Sequence, residues 1–129
     1  MAVRTLIVED SIPARNIIRR RLEQMGCEVV GEAGNAAEGL RLFRSLSPQL
    51  ITLDLMMPEV EGVHAKRLFS MIREQAPEVA VIVISAQPKS TGERAEYLRR
   101  GALAYFEKPF LKLESLADRL AQLFPELNK

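Results

Sequence analysis

Four points along the chain place a chemically capable side chain at the end of an apolar run. Glu9 and Asp10 follow Thr5–Val8, Asp54 follows Leu50–Leu53, Ser85 ends Val79–Ser85, and Lys108 follows Ala104–Glu107. If these runs are parallel strands of one sheet, all the groups lie on the edge formed by the strands' carboxyl ends, where open α/β sheets bind ligands. Three carboxylates gathered there repel one another, and a divalent cation relieves the repulsion. Hard oxygen donors with open positions favour Mg²⁺, which keeps waters and shares phosphate oxygens. Lys108 adds a point charge suited to a phosphoryl oxygen, and Ser85 adds a hydroxyl donor. Such a set stabilises charge on a phosphoryl group in transit. Asp54 is the natural nucleophile, because carboxylates form aspartyl phosphates. Each residue also has a plainer use: Asp54 as a turn cap, Glu9-Asp10 as caps for the next helix, Ser85 in a local backbone bond, Lys108-Pro109 as a loop. The ordered set at successive strand ends is what points to a site.

The elements that must position these groups are readable from periodicity. Strand-like runs at Thr5–Val8, Glu28–Glu32, Leu50–Leu53, Val79–Ser85 and Ala104–Glu107 alternate with helical patterns. That alternation predicts βαβ units and a parallel sheet covered on both faces. The first helix opens near Pro13, carries Ile17, Ile18, Leu22 and Met25 as an apolar stripe, and ends at Gly26. Asn35 and Glu38 have capping-box spacing ahead of Leu40, Leu42, Phe43 and Leu46, and Ser47-Pro48 stops that helix. The third helix is expected over Val63–Gln75. Ser90 and Glu93 read as a capping box for a short fourth helix ending before Gly101. The last helix shows Leu113, Leu116, Leu120, Leu123 and Phe124, closed by Pro125. Five strands and five helices suit a doubly wound, flavodoxin-like α/β fold with strand order 2-1-3-4-5, although periodicity alone leaves the order open.

Composition narrows the function. A chain of 129 residues is expected to form one domain, 1–129. With a formal net charge of +1 it has no global field to draw in nucleic acid or an acidic membrane, so direct binding to either is not expected. Cys27 is alone, which excludes an intrachain disulfide and a cysteine-rich metal site. The start MAVRTLIVEDS is no signal peptide, and no apolar run reaches membrane-spanning length, so a cytoplasmic location is expected.

The motifs Val8-Glu9-Asp10-Ser11, Leu53-Asp54 with Met57-Pro58 and Gly62, Ser85-Ala86, and Lys108-Pro109-Phe110 form an ordered set. On that set the chain resembles the receiver domain of two-component response regulators, in its stand-alone, chemotaxis-regulator-like form, from Arg4 to Phe124. The resemblance implies a phosphoacceptor switch rather than an enzyme, one that assists its own phosphorylation and dephosphorylation. Asp54 would take a phosphoryl group from a histidine kinase or phosphotransfer protein. Asp10 and Asp54 would bind Mg²⁺ directly, with Glu9 acting through water and the Met56 backbone carbonyl as a further ligand. Ser85 and Lys108 would contact the phosphoryl oxygens, and the Lys108–Pro109 bond would be cis. Ser85 and Tyr105 match the family's switch pair. On phosphorylation the hydroxyl would move toward the phosphoryl group and Tyr105 would turn inward, reshaping the surface of the fourth helix, fifth strand and last helix. Met56 and Gln87 sit where the family tunes the lifetime of the phosphoryl group. Glu9, Ser85 and Glu61 stand where Asp, Thr and Asp are common.

Other residues weigh less. His64, on the third helix, is read as an inert surface residue. Arg19, Arg20 and Arg21 read as a solvated face with a possible part in docking, and Met56 and Met57 as packing. Three functions compete. A pseudo-receiver scaffold working without phosphorylation needs none of Glu9, Asp10, Asp54, Ser85 and Lys108. A flavin protein wants a Gly/Ser/Thr-rich phosphate loop where this chain has Glu9-Asp10. An aspartate phosphatase wants a substrate-recognition insertion. This sequence carries no output domain after the last helix: if it is the whole protein, output by docking to a downstream protein is expected, and if it is part of a longer one, the output lies outside it; a monomer or weak dimer is expected.

Overall fold

The fold is described from a computed structural model covering residues 2–85, 92–107 and 116–125, with the side chains of 116–119 excepted. Its elements are β1 (Val3–Val8), α1 (Ile12–Gln24), β2 (Cys27–Ala33), α2 (Ala36–Leu46), β3 (Leu50–Asp54), α3 (Ala65–Gln75), β4 (Ala80–Ser85), α4 (Glu93–Arg99), β5 (Ala104–Glu107) and α5 (Leu116–Leu123). All neighbouring strands pair in parallel, in the order β2-β1-β3-β4-β5. This is the doubly wound arrangement expected from the sequence.

Alternation along each strand divides the core into two layers. Leu6, Val8, Ile51, Leu53, Val81, Val83 and Tyr105 pack on one face of the sheet with Phe43 of α2, Phe69 of α3 and Tyr97 of α4. Val3, Ile7, Leu50, Ile82, Ile84 and Ala104 pack on the other with Ile18 of α1 and Leu120 of α5. Nearly every residue of β1, β3 and β4 is buried, which explains why their sequences read as continuous apolar runs. Cys27 belongs to the second layer. Burial pushes its thiol up, with the Thr5 hydroxyl partly opposing, so it stays protonated and inert.

The helix signals are built as expected at two ends. Ser11 accepts the Ala14 N–H to cap α1, and Asn35 accepts the Glu38 N–H at 2.8 Å to cap α2. Elsewhere the stripe is narrower than its spacing suggests. Ala14, Ile18 and Leu22 form the buried line of α1, whereas Ile17 is 44% exposed, and Leu123 of α5 is 48% exposed. Both lie at the rim of a helical face, where an apolar residue satisfies the pattern without reaching the core. The third helix starts two residues later than expected, with His64 as its cap residue. The fourth starts at Glu93 with Gly92 at the cap position and no side-chain cap bond, so Glu93 is not the third residue of a capping box. Ser90 and Leu113 lie outside the described residues.

The turn after Asp54 is closed by an antiparallel bridge between Val60 and Val63. Its central residues, Glu61 at φ 52° and Gly62 at φ 76°, are both left-handed, as in a type I′ turn. Glycine adopts this freely, and glutamate only at an energetic cost. The Glu61 carboxylate meets Arg41 at 3.0 Å, but both side chains are more than half exposed, so that pair is weak. Replacing Glu61 with Asn, which adopts left-handed backbone more readily, is expected to raise stability by about 0.5 kcal/mol in denaturant titration.

Candidate phosphoacceptor and metal site

The register of the sheet assembles the acids. Val8 of β1 pairs with Leu53 of β3, so the next residues in each strand direction, Glu9 and Asp54, emerge side by side at the carboxyl edge. Glu9, Asp10 and Asp54 each bring a carboxylate oxygen to within 4.8 Å of the others. Glu9 and Asp54 are buried, at 0% and 1% exposure, and Asp10 is exposed at the mouth. On the far side of β3, Asp54 pairs with Ile84 and Leu55 N–H donates to the Ile84 carbonyl, which puts Ser85 one residue further along the same edge.

Backbone donors orient the acids. Met56 N–H donates to Asp54 Oδ1 at 2.9 Å, and Ser11 N–H donates to Glu9 Oε2 at 3.0 Å. The Glu9 carbonyl is held from α1: Arg15 donates to it through Nη2 at 2.9 Å and Nε at 3.2 Å. Arg15 also stands 3.6 Å from Glu32, which in turn bonds Arg19. On this partly solvated face Arg19 pairs with Glu32 and Glu23, and Arg20 is exposed. Arg15 was not singled out from the sequence, because nothing in its spacing marks a contact with a backbone carbonyl six residues away.

The donor set fits Mg²⁺. It is all oxygen and carries concentrated negative charge, with one exposed member and two rigid ones. Their carboxylate oxygens lie within 4.8 Å of one another, and a cation there would relieve their mutual repulsion. Glu9, Asp10 and Asp54 could hold such an ion, and Met56, two residues after Asp54, is 43% exposed.

Behind Ser85 stands Tyr105. Its ring is 1% exposed, so it already occupies the inward position. Its hydroxyl donates to the carboxylate of Glu93, a residue that is itself 7% exposed. The Ser85 hydroxyl is buried and has no hydrogen-bond partner of ordinary geometry among the described residues. It lies beside the Tyr105 phenol and slightly favours its ionisation. Burial first and the Glu93 carboxylate second push the Tyr105 phenol up to about 12, so it remains a donor at physiological pH.

The remaining sequence candidates separate. Lys108, Pro109 and Gln87 lie outside the described residues. His64 pairs with Glu59 at 2.9 Å on the surface. Met57 packs against the first core layer. His64, Met56, Met57, Lys66 and Glu93 line a cleft of about 760 Å³ beside the turn after Asp54. A second cleft, of about 490 Å³ between Phe43, Pro48, Gln75 and Phe124, opens at the opposite edge of the sheet, away from the acids. Among the described residues no helix is long and apolar enough to cross a membrane.

Comparison with known proteins agrees with this geometry. The response regulator receiver domain family matches residues 5–121. Chemotaxis protein CheY of Listeria monocytogenes is 32% identical over 127 residues, covering 98% of this chain and 99% of that protein. A protein-glutamate methylesterase/protein-glutamine glutaminase of Archaeoglobus fulgidus is 34% identical over 123 residues; the match takes in 93% of this chain but only 34% of that relative's length. Among solved structures, the receiver domain of AraT, a response regulator from Geobacillus stearothermophilus, superposes with a TM-score of 0.81 at 26% identity, covering both chains completely. With the ordered motifs, the sheet order and the acid cluster all in agreement, the chain belongs to the response regulator receiver domain family.

Proposed function

We propose that this chain takes a phosphoryl group onto Asp54 from a histidine kinase or phosphotransfer protein, and that the modification alters a protein-docking surface on α4, β5 and α5. The observation that carries the reading is the buried Asp54 carboxylate, fixed by Met56 N–H and flanked by Glu9 and Asp10 at the carboxyl edge of the sheet. An Asp54 oxygen attacks phosphorus, the bond from phosphorus to the donor's imidazole nitrogen breaks, and that nitrogen leaves with the electron pair and takes up a proton. Fixing the carboxylate in advance removes orientational freedom that the reaction would otherwise have to lose. Bound Mg²⁺ would neutralise the charge that phosphoryl oxygens bring to three carboxylates. Ser85 and Lys108 are assigned to those oxygens, Lys108 by its place after β5 in the sequence. Met56 and Gln87 are assigned to the lifetime of the acyl phosphate through their access to attacking water. The chain acts as a phosphoacceptor switch, cytoplasmic, as a monomer or weak dimer, on a downstream protein and not on nucleic acid.

The test is incubation with acetyl phosphate, with and without Mg²⁺, followed by intact-mass measurement and peptide mapping. One phosphoryl group per chain, mapped to Asp54 and dependent on Mg²⁺, is expected. A chain that stays unmodified would make the fold a scaffold that binds without phosphorylation.

A further inference from the structure

We propose that Glu93 is a positioning residue of the switch, its carboxylate holding the Tyr105 ring inside the core so that α4 and β5 change arrangement together. The proposal rests on the receiver reading for its consequence, but the latch itself rests on contacts alone. Three residues of α4 converge on Tyr105. Glu93 accepts its hydroxyl, Arg94 Nη1 donates to its backbone carbonyl at 2.9 Å, and the Tyr97 ring lies 6.3 Å from its ring, centroid to centroid. Tyr97 in turn meets Phe69 of α3 edge-on at 5.0 Å.

The pairing is forced from both sides. A buried phenol needs a partner for its hydroxyl, and the Glu93 carboxylate supplies one. A carboxylate at 7% exposure is expensive to bury without a donor. Each group therefore stabilises the burial of the other, and neither can leave alone without stranding its partner. Meanwhile α4 has only 7 residues and no side-chain cap at Gly92, so its intrinsic stability is low and its position depends on what it grips. The capping-box spacing of Ser90 and Glu93 suggests a local role for this glutamate, yet its carboxylate reaches a residue 12 positions on, in another element. Glu93 also lines the cleft beside Met56 and Met57, next to the turn that carries Asp54. The latch therefore borders the same cleft as that turn.

The chain contains two tyrosines and no tryptophan. Labelling the full chain with tyrosine enriched in ¹³C at the ring ζ position therefore gives two signals, assigned with Tyr97→Phe. In Glu93→Ala the Tyr105 signal is expected to shift, its ring contacts to Tyr97 to weaken, and hydrogen exchange in α4 to quicken about tenfold, the equivalent of one buried hydrogen bond. Glu93→Gln, whose amide oxygen can still accept, should keep the ring contacts, while its phenol titrates at a lower pH than wild type because the charge is gone. Should Glu93→Ala fold poorly, a double-mutant cycle on Glu93→Gln and Tyr105→Phe decides the question, with a non-additive result expected. Additivity, or an unmoved Tyr105 in Glu93→Ala, would overturn the latch. Asp54 labelling by acetyl phosphate is followed separately in wild type, so failure of the receiver reading shows as no uptake, whatever the tyrosine signals do.

Discussion

Asp54→Asn protein treated with acetyl phosphate and Mg²⁺ is expected to take up no phosphoryl group, while folding as well as wild type. The amide has the size and shape of the carboxylate but lacks a nucleophilic oxygen at neutral pH. Its own oxygen can keep the 2.9 Å bond from Met56 N–H, so the local turn survives. The substitution also removes one of three negative charges that lie within 4.8 Å of each other. Relief of that crowding means the melting temperature should equal or exceed that of wild type in metal-free buffer. Intact mass reads the first effect and thermal melting the second. A phosphorylated fraction unchanged in the variant would move the acceptor to another residue. A lowered melting temperature would instead mean that the Asp54 charge is needed for the fold.

The residues gathered at this sheet edge were visible in the sequence for a physical reason. An acid at the end of an apolar strand breaks the run, so Glu9, Asp10 and Asp54 announce the strand ends even though Glu9 and Asp54 are themselves buried. The edge they share follows from parallel pairing alone. The unbroken apolar runs of β3 and β4 announced a sheet covered on both faces for the same reason. Side chains whose partners come from distant elements were harder to read. Glu93 has the spacing of a cap and the burial of a core residue, and only tertiary packing decides between them. Arg15 looked like one more surface cation of α1, although it grips the Glu9 carbonyl. Ile17 has the right hydrophobicity for a stripe but points about 100° away from Ile18, toward solvent. Tyr105 is buried with its hydroxyl donating to Glu93, a partner twelve positions back in another element that no local spacing could mark.

Removal of Mg²⁺ is expected to suppress phosphoryl uptake on the order of 10²-fold, the scale on which a single electrostatic contact at a reacting centre acts. The site of that dependence is testable through Asp10. It is the exposed member of the cluster, so Asp10→Ala should leave the fold intact while withdrawing one oxygen from the ion. Mass action sets the size of the thermodynamic effect: at ten times its dissociation constant a cation stabilises the fold by about 1.4 kcal/mol. For a domain of 129 residues that is about 5 °C in melting temperature. Wild type should show this shift with Mg²⁺, and Asp10→Ala should show almost none. In EDTA the order reverses, since the variant has one negative charge fewer beside Asp54 and should react with acetyl phosphate no slower than wild type. The crossover separates a metal role for Asp10 from a purely structural one, which would lower uptake in both buffers. If both proteins gained the same thermal shift from Mg²⁺, the cation would sit elsewhere on the molecule and the acid cluster would need another source of positive charge.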